Sequence, residues 1–236
     1  MSLYIQSFRF VIVSLCFFVL SGCAGLRDNQ ESIRDQHVLQ LLDSDIHQAL
    51  IVHSVTAFSK AQVTAWEKKD MQWQVKFDAM SAVLGRNGLA PLGVKQEGDG
   101  RTPSGIYQIR RAFGYEPNVQ TKLDYQQVTD RDIWVDDPES PQYNQWIQSP
   151  TEAKSFERLK RDDNLYKYGI VIEYNTDLII PGNGSAIFIH IWRGDDKPTA
   201  GCVALAEDDV KKLLAWFSLS LHPVIILGDL TRDRLY

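Results

Sequence analysis

Two side chains in this sequence have the types and order needed for nucleophilic catalysis. They are Cys202 and, eleven intervening residues upstream, His190, in His190-Ile-Trp-Arg-Gly-Asp-Asp-Lys-Pro-Thr-Ala-Gly-Cys202. A thiol attacks a carbonyl only as thiolate, so it needs a base or a cation beside it, and an imidazole with an ordinary pKa of about 6.5 can be both. Thr199-Ala200-Gly201-Cys202 is a small-residue turn where backbone can pass close to a substrate carbonyl. Its amides, that of Gly201 first, are candidates for an oxyanion hole. The competing structural reading makes Cys202 a small buried hydrophobe and His190 a satisfied core histidine.

Other chemistries fit less well. Glu97-Gly-Asp99-Gly-Arg101 offers two carboxylates at i and i+2 of a glycine-rich loop, not an opposed acid and base about 5 to 9.5 Å apart as a glycosidase requires. The same loop lacks the Lys-Ser/Thr ending of a phosphate loop. It reads as the entry to a strand beginning at Thr102-Pro103, with Arg101 a candidate partner for a substrate carboxylate and plain turn chemistry an equal alternative. His190, Cys202, Asp195 and Asp196 are potential zinc ligands, but no His-x-x-x-His or Cys-x-x-Cys spacing accompanies them, so neither a metal nor a cofactor is expected. His37, His47, His53 and His222 sit in tether, strand-edge or turn contexts and receive no role.

The elements that must position the pair are mostly strands. Residues 49–55, 72–84, 106–113, 167–174, 186–192 and 223–227 are short apolar or alternating runs rich in Val, Ile, Phe, Tyr or Trp and bounded by Gly, Pro, Asn or Asp. Ala186-Ile-Phe-Ile-His-Ile-Trp192 is apolar on both faces, as in a central strand covered on both sides, and period two puts Phe188, His190 and Trp192 together. One clear helix spans 207–217, with Val210, Leu213, Leu214 and Phe217 on one face, acids in its first turn, and Glu207/Lys211 and Asp208/Lys212 pairs. It starts too late to place Cys202 at a helix N-terminus, so activation falls to His190. Between about 114 and 168 lies a long insertion carrying Tyr115, Tyr125, Trp134, Tyr143, Trp146 and Tyr166. It reads either as a decorated surface loop with its own aromatic mini-core or as a substrate wall.

Length and charge bound the rest. A chain of 236 residues, 44% hydrophobic, can bury one sizeable core, and a formal charge of -5 without a basic block argues against nucleic acid as a partner. Arg9 followed by the apolar run 10–20 reads as an export signal, too short for a spanning helix of about 20 residues. Leu20-Ser21-Gly22-Cys23 resembles a bacterial lipobox, which implies cleavage after residue 22, a lipid on Cys23, and a periplasmic chain held on a membrane. Ala24, rather than Asp, resembles the outer-membrane sorting pattern. On that reading Cys16 leaves with the signal, residues 23–45 form a lipidated tether that is polar and aperiodic through His37, and Cys202 is the lone thiol of a domain over 46–236. Loss of Arg9 makes the mature formal charge -5 - 1 = -6.

His190 at the end of an apolar strand, the Thr-x-Gly-Cys turn, and the upstream Gly100-Arg-Thr102-Pro103-Ser-Gly105-Ile-Tyr107 together resemble the L,D-transpeptidase catalytic domain, the YkuD family, over roughly residues 46 to 230. The resemblance implies a β-rich α+β fold, a mixed β-sandwich or barrel-like domain with few helices. It implies Cys202 as nucleophile, His190 as general base, the Gly201 and Cys202 amides as oxyanion donors, and Thr199, Arg101, Thr102 and Trp192 as substrate contacts. The implied substrate is the stem peptide of peptidoglycan, with transfer, L,D-carboxypeptidase or amidase chemistry, or a non-catalytic envelope role, all open. Ala200 stands where the family has histidine, Val203-Ala204 where it has an apolar residue followed by Arg or Asn, and the histidine-to-cysteine gap is shorter than usual. The nucleophile and base are intact, while the means of holding a stem-peptide carboxylate is not evident.

Overall fold

The computed structural model describes residues 32–55 and 59–229. The segments read as an export signal and a lipobox, with Cys23, lie outside them. The chain divides into two compact units, residues 1–42 and 43–236. Within the first, residues 32–40 form a helix, α1, where an aperiodic tether was expected as far as His37. Neither Gly nor Pro occurs from Ser32 to Leu42, so nothing in the backbone opposes a helix there.

The second unit is built on strands that close on themselves. In chain order they are β1 (Gln48–Ser54), β2 (Lys60–Lys69), β3 (Gln72–Val83), β4 (Gly105–Gly114), β5 (Asp124–Gln127), β6 (Asp132–Val135), β7 (Trp146–Gln148), β8 (Phe156–Arg158), β9 (Tyr168–Ile172), β10 (Phe188–Ile191), β11 (Val203–Leu205) and β12 (Val224–Leu227), with helix α2 (Glu207–Trp216) before the last. The pairing runs β12-β1-β2-β3-β11-β10-β9-β4, and β4 returns to β12, which completes a barrel of mixed direction. Beyond the β12 pairing, β5 lies parallel to β4 through Arg111↔Asp124 to Gly114↔Gln127. Closure removes most of the free sheet edges that an open sheet would expose.

Period two divides β10 between two cores. Ile189 joins Leu50, Val63, Ile109, Ile170 and Val203 in one buried cluster, to which α2 adds Val210, Leu213 and Leu214. Phe188 faces the other way, with Phe113, Val171 and Cys202, and this second cluster is completed by Val128, Trp134, Leu159, Leu165 and Tyr166. The last five come from the long insertion, which therefore has structure of its own: β6, β7 and β8 form a small antiparallel sheet in the order β7-β6-β8. The insertion thus has the aromatic mini-core of the first alternative read from sequence.

Several elements differ from the sequence reading. The strand expected over 186–192 is confined to Phe188–Ile191, because Ala186 takes a left-handed backbone (φ 53°) that extended pairing cannot accommodate. Strand β2 was not anticipated, although its alternation of exposed and buried residues at the start is clear in the structure. In α2, Lys211 pairs with Glu207 at 2.8 Å as expected, but Lys212 bonds Asp209, one turn position closer than Asp208.

Phe113 is the hub of the second cluster. It meets Trp146, Tyr166 and Phe188 edge-on at centroid distances of 5.9, 5.8 and 5.2 Å, the geometry that places a positive ring edge against a negative face. Its ring lies over Gly169 so closely that a Cβ there would meet Phe113 Cζ at 2.3 Å. Gly169→Ala is therefore expected to destabilise the fold by roughly 1–3 kcal/mol, read from urea unfolding midpoints, and Phe113→Leu should recover part of that loss in the double variant. Additive losses would show that the ring and the glycine do not share this space.

Candidate active site

Cys202 is held by a turn clamped on both sides. The Thr199 amide donates to Leu84 O and its carbonyl accepts from Arg86 N, both at 2.9 Å. Within the turn the Thr199 hydroxyl donates to Cys202 O at 2.7 Å and accepts from Gly201 N at 3.1 Å. On the other side stands the Gly100-Arg101-Thr102 segment: a Cβ at Gly201 would meet Arg101 O at 3.0 Å, and one at Gly85 would meet Gly100 O at 2.4 Å. Thr102, fully buried, receives Gly85 N at 2.9 Å and directs its hydroxyl to Cys202 O at 3.5 Å. The two sequence motifs are thus one structure, and glycine is needed where their backbones cross.

This arrangement redistributes the roles expected from sequence. Thr102 and Thr199 tie the turn together, and Thr199 also lines the pocket at the thiol while Thr102 does not. The Gly201 amide is occupied by the Thr199 hydroxyl, so it is not a free oxyanion donor in this structure. Arg101 sends its guanidinium to Leu89 O at 3.0 Å and does not line the pocket at the thiol. Its loop is turn chemistry: Asp99 accepts from Lys95, Gln96 N and Arg101 N, while Glu97 accepts from Tyr143 and Ser185. Trp192 does line the pocket.

The pocket holds about 130 Å³ and is bounded by His190, Cys202, Trp192, Tyr166, Glu157, Leu165 and the cations Arg161, Arg193 and Lys197, among others. Cys202 and His190 are each only 6% exposed. The sulfur accepts from Phe188 N at 3.4 Å and its proton points to Ala186 O at 3.3 Å. His190 bonds the Ile191 carbonyl through Nδ1 at 2.8 Å. A carbonyl can only accept, so Nδ1 carries the proton and Nε2 keeps the lone pair needed by a base. A main-chain carbonyl is thus the third group that orients the imidazole.

Sequence reasoning missed Glu157 and Arg161, which reach the thiol's pocket from the insertion, where no motif marks them, and named Tyr166 only among the insertion's aromatics. Tyr166 stands edge-on to His190 at 5.1 Å and donates its hydroxyl to Glu157 Oε2. Arg161 stacks over Tyr166 at 5.1 Å while pairing with Asp163 through two bonds of 2.9 and 2.6 Å. Arg193 and Lys197 lie in the excursion between His190 and Cys202, where their charge was legible. Among the described residues no group of three or more His, Cys, Asp or Glu is placed to hold a metal ion.

Burial dominates the electrostatics. It pushes the Cys202 thiol up to about 12, with the Glu157 charge adding to the shift and hydrogen bonding from Phe188 N and Tyr166 opposing it. It pushes His190 down to about 4, against the pull of the Ile191 carbonyl. Both groups therefore rest neutral near pH 7. A histidine depressed in the fold binds a proton in the unfolded chain below about pH 6.5 that the folded chain refuses until about pH 4. Its contribution is present above 6.5 and lost as pH falls towards 4, on the order of 3 kcal/mol. NMR of the imidazole should give a midpoint well below 6.5, and His190→Gln should flatten the stability profile between those pH values. A midpoint at or above 6.5 would contradict the buried, uncharged imidazole.

A family model described as the L,D-transpeptidase catalytic domain (YkuD) matches residues 53–226. No curated protein matches the chain. Among solved structures, Bd1075 of Bdellovibrio bacteriovorus is similar at 17% identity, over 78% of this chain and 48% of that one, with a TM-score of 0.43. The helical cell shape determining protein Pgp2 of Campylobacter jejuni is similar at 17% identity, over 82% and 54%, with a TM-score of 0.40. The chain thus spans about half the length of those structures. With the model covering most of its length, this chain belongs to the L,D-transpeptidase catalytic domain family.

Proposed function

We propose that the protein is a cysteine-dependent L,D-transpeptidase that acts on peptidoglycan stem peptides. The observation that carries this reading is the meeting of the Thr-Pro-Ser-Gly and Thr-Ala-Gly-Cys segments, which hold Cys202 in a pocket that His190 also lines. The thiol proton passes to His190 Nε2 and the sulfur attacks the carbonyl that joins the L-centre of a diamino acid to a terminal D-alanine. The C–N bond breaks as imidazolium returns the proton to the departing amine, leaving a thioester on Cys202. An amine of a second stem then gives a crosslink, and water gives L,D-carboxypeptidase activity. No cofactor enters.

The resting electrostatics set what substrate binding must accomplish. Burial holds the Cys202 thiol high and the His190 imidazole low, so proton transfer between them is uphill at rest, and the attraction between the resulting thiolate and imidazolium returns part of that cost. Entry of the substrate has to supply the remainder, by freeing the Gly201 amide and bringing a polarised carbonyl to the sulfur. This closed state also favours a second reading, a non-catalytic envelope protein with a relict thiol. The test is disaccharide tetrapeptide incubated with the purified protein and D-alanine followed by mass spectrometry. Release that Cys202→Ala reduces at least 10³-fold supports the enzyme. Release that persists in the variant removes Cys202 as nucleophile, and inertness of the wild type towards stem peptides and carbapenems favours the scaffold.

We further propose, from the resemblance of Leu20-Ser21-Gly22-Cys23 to a lipobox and of Ala24 to the outer-membrane sorting pattern, that a lipid on Cys23 holds the protein on the periplasmic face of the outer membrane. Mass spectrometry of the N-terminal peptide should find a diacylglycerol thioether on Cys23. A chain that still begins at Met1, or an unmodified cysteine, would refute the anchor.

A further inference from the structure

The strongest unassigned feature is the pair Glu157 and Tyr166, which approaches the thiol from the insertion. Tyr166 is 5% exposed, its ring fixed edge-on between Phe113, Phe188 and His190. Its hydroxyl donates to Glu157 Oε2, yet Tyr166 shares the pocket and the buried cluster of Cys202, where a hydrogen bond from it favours the thiolate. The two acceptors compete for one proton. Ionised Glu157 captures the hydroxyl and adds a like charge near the sulfur, and both effects oppose a thiolate. A neutral Glu157 releases the hydroxyl, which needs only rotation about its C–O bond to turn to the sulfur.

We propose that Glu157 and Tyr166 form a switch on the Cys202 nucleophile: Tyr166 donates to the thiolate as the proton leaves sulfur for His190 Nε2, and Glu157, acting through Tyr166, is the positioning residue that withholds or releases that donor. This rests on the reading of Cys202 as nucleophile. Three observations support it beyond the contact itself. The Tyr166 ring cannot leave, because aromatic neighbours fix it, so only its hydroxyl moves. Burial raises the Glu157 carboxyl from its ordinary range despite the Tyr166 bond, and Asp136 and Glu97 add to that rise while Arg161 opposes it, so its proton is exchangeable at milder pH than an exposed glutamate's. The sulfur's two hydrogen bonds, from Phe188 N and to Ala186 O, are both to main chain, so the Tyr166 hydroxyl would add a side-chain donor to them. The charged groups facing this pair are Asp136, Glu97 and Arg161 around Glu157, Arg161, Asp163 and Arg193 around His190, and Lys95 near the sulfur.

The test needs no peptidoglycan substrate. Iodoacetamide alkylation of the intact protein is followed at the Cys202 peptide by mass spectrometry between about pH 7 and 10. A drop of one unit in thiol pKa raises thiolate tenfold but lowers its intrinsic nucleophilicity about threefold, a net gain of about threefold. Glu157→Gln, which removes the charge and keeps the shape, should speed alkylation about threefold or more. Tyr166→Phe should slow it by a similar factor, and the double variant should resemble Tyr166→Phe. Changes in the same direction, or an unaltered rate in Glu157→Gln, would overturn the switch. Should either variant fail to fold, wild-type protein carrying 13C at glutamate carboxyl and cysteine Cβ gives the answer: the Cys202 signal shifts as Glu157 titrates if the groups are coupled, and stays fixed if they are not. D-alanine release assayed alongside separates the two claims. Opposed alkylation effects without release retain the switch and sink the enzyme, and release with unchanged alkylation does the reverse.

Discussion

Everything at the site depends on how closely two backbones cross. The turn Thr199–Cys202 lies against Gly100-Arg101-Thr102 with room for a hydrogen atom and little more at Gly201 and Gly85. That approach lets the Thr102 hydroxyl reach Cys202 O from one side while Thr199 reaches it from within the turn. The carbonyl of Cys202 is fixed by these bonds, and the sulfur is thereby set between Phe188 N and Ala186 O. A methyl group at either glycine would have to move main chain, which yields far less readily than the end of a side chain.

The insertion converts that geometry into a buried site. By covering Phe113, Phe188 and Cys202 it removes apolar surface from water, and the same dry surroundings keep thiol and imidazole uncharged at rest. Stability and reactivity are opposed here. The aromatic packing that secures the second core withholds water from the thiol and leaves polar partners as its means of stabilising charge. One such partner, Tyr166, is brought by the insertion itself, together with Glu157, whose charge opposes a thiolate.

Much of this was legible in residue types. The β-rich fold, the two-faced strand at His190 and the single helix after Cys202 followed from period and composition, because alternation and helical spacing are local properties. The relation between Thr102 and Cys202 could be suspected only from resemblance, since residues a hundred positions apart carry no mark of contact. Thr102 and Thr199 were named as substrate contacts through the resemblance; their hydrogen-bond partners are main-chain groups that sequence does not display, and Thr199 also lines the pocket. Glu157, and the place of Tyr166 at the thiol, were hidden for a further reason. Their significance comes from the fold of a three-stranded sheet whose strands are three or four residues long, too short for periodicity to reveal.

The central claim is that Cys202 carries the acyl group. Acid-quenched protein from an incubation with tetrapeptide can be weighed intact and then mapped for a hydroxylamine-sensitive thioester. The account predicts one adduct, with the mass of the donor stem less D-alanine, on the Cys202 peptide, and its absence in His190→Ala. D-alanine release with no adduct on Cys202, or with an adduct on any other residue, would contradict it.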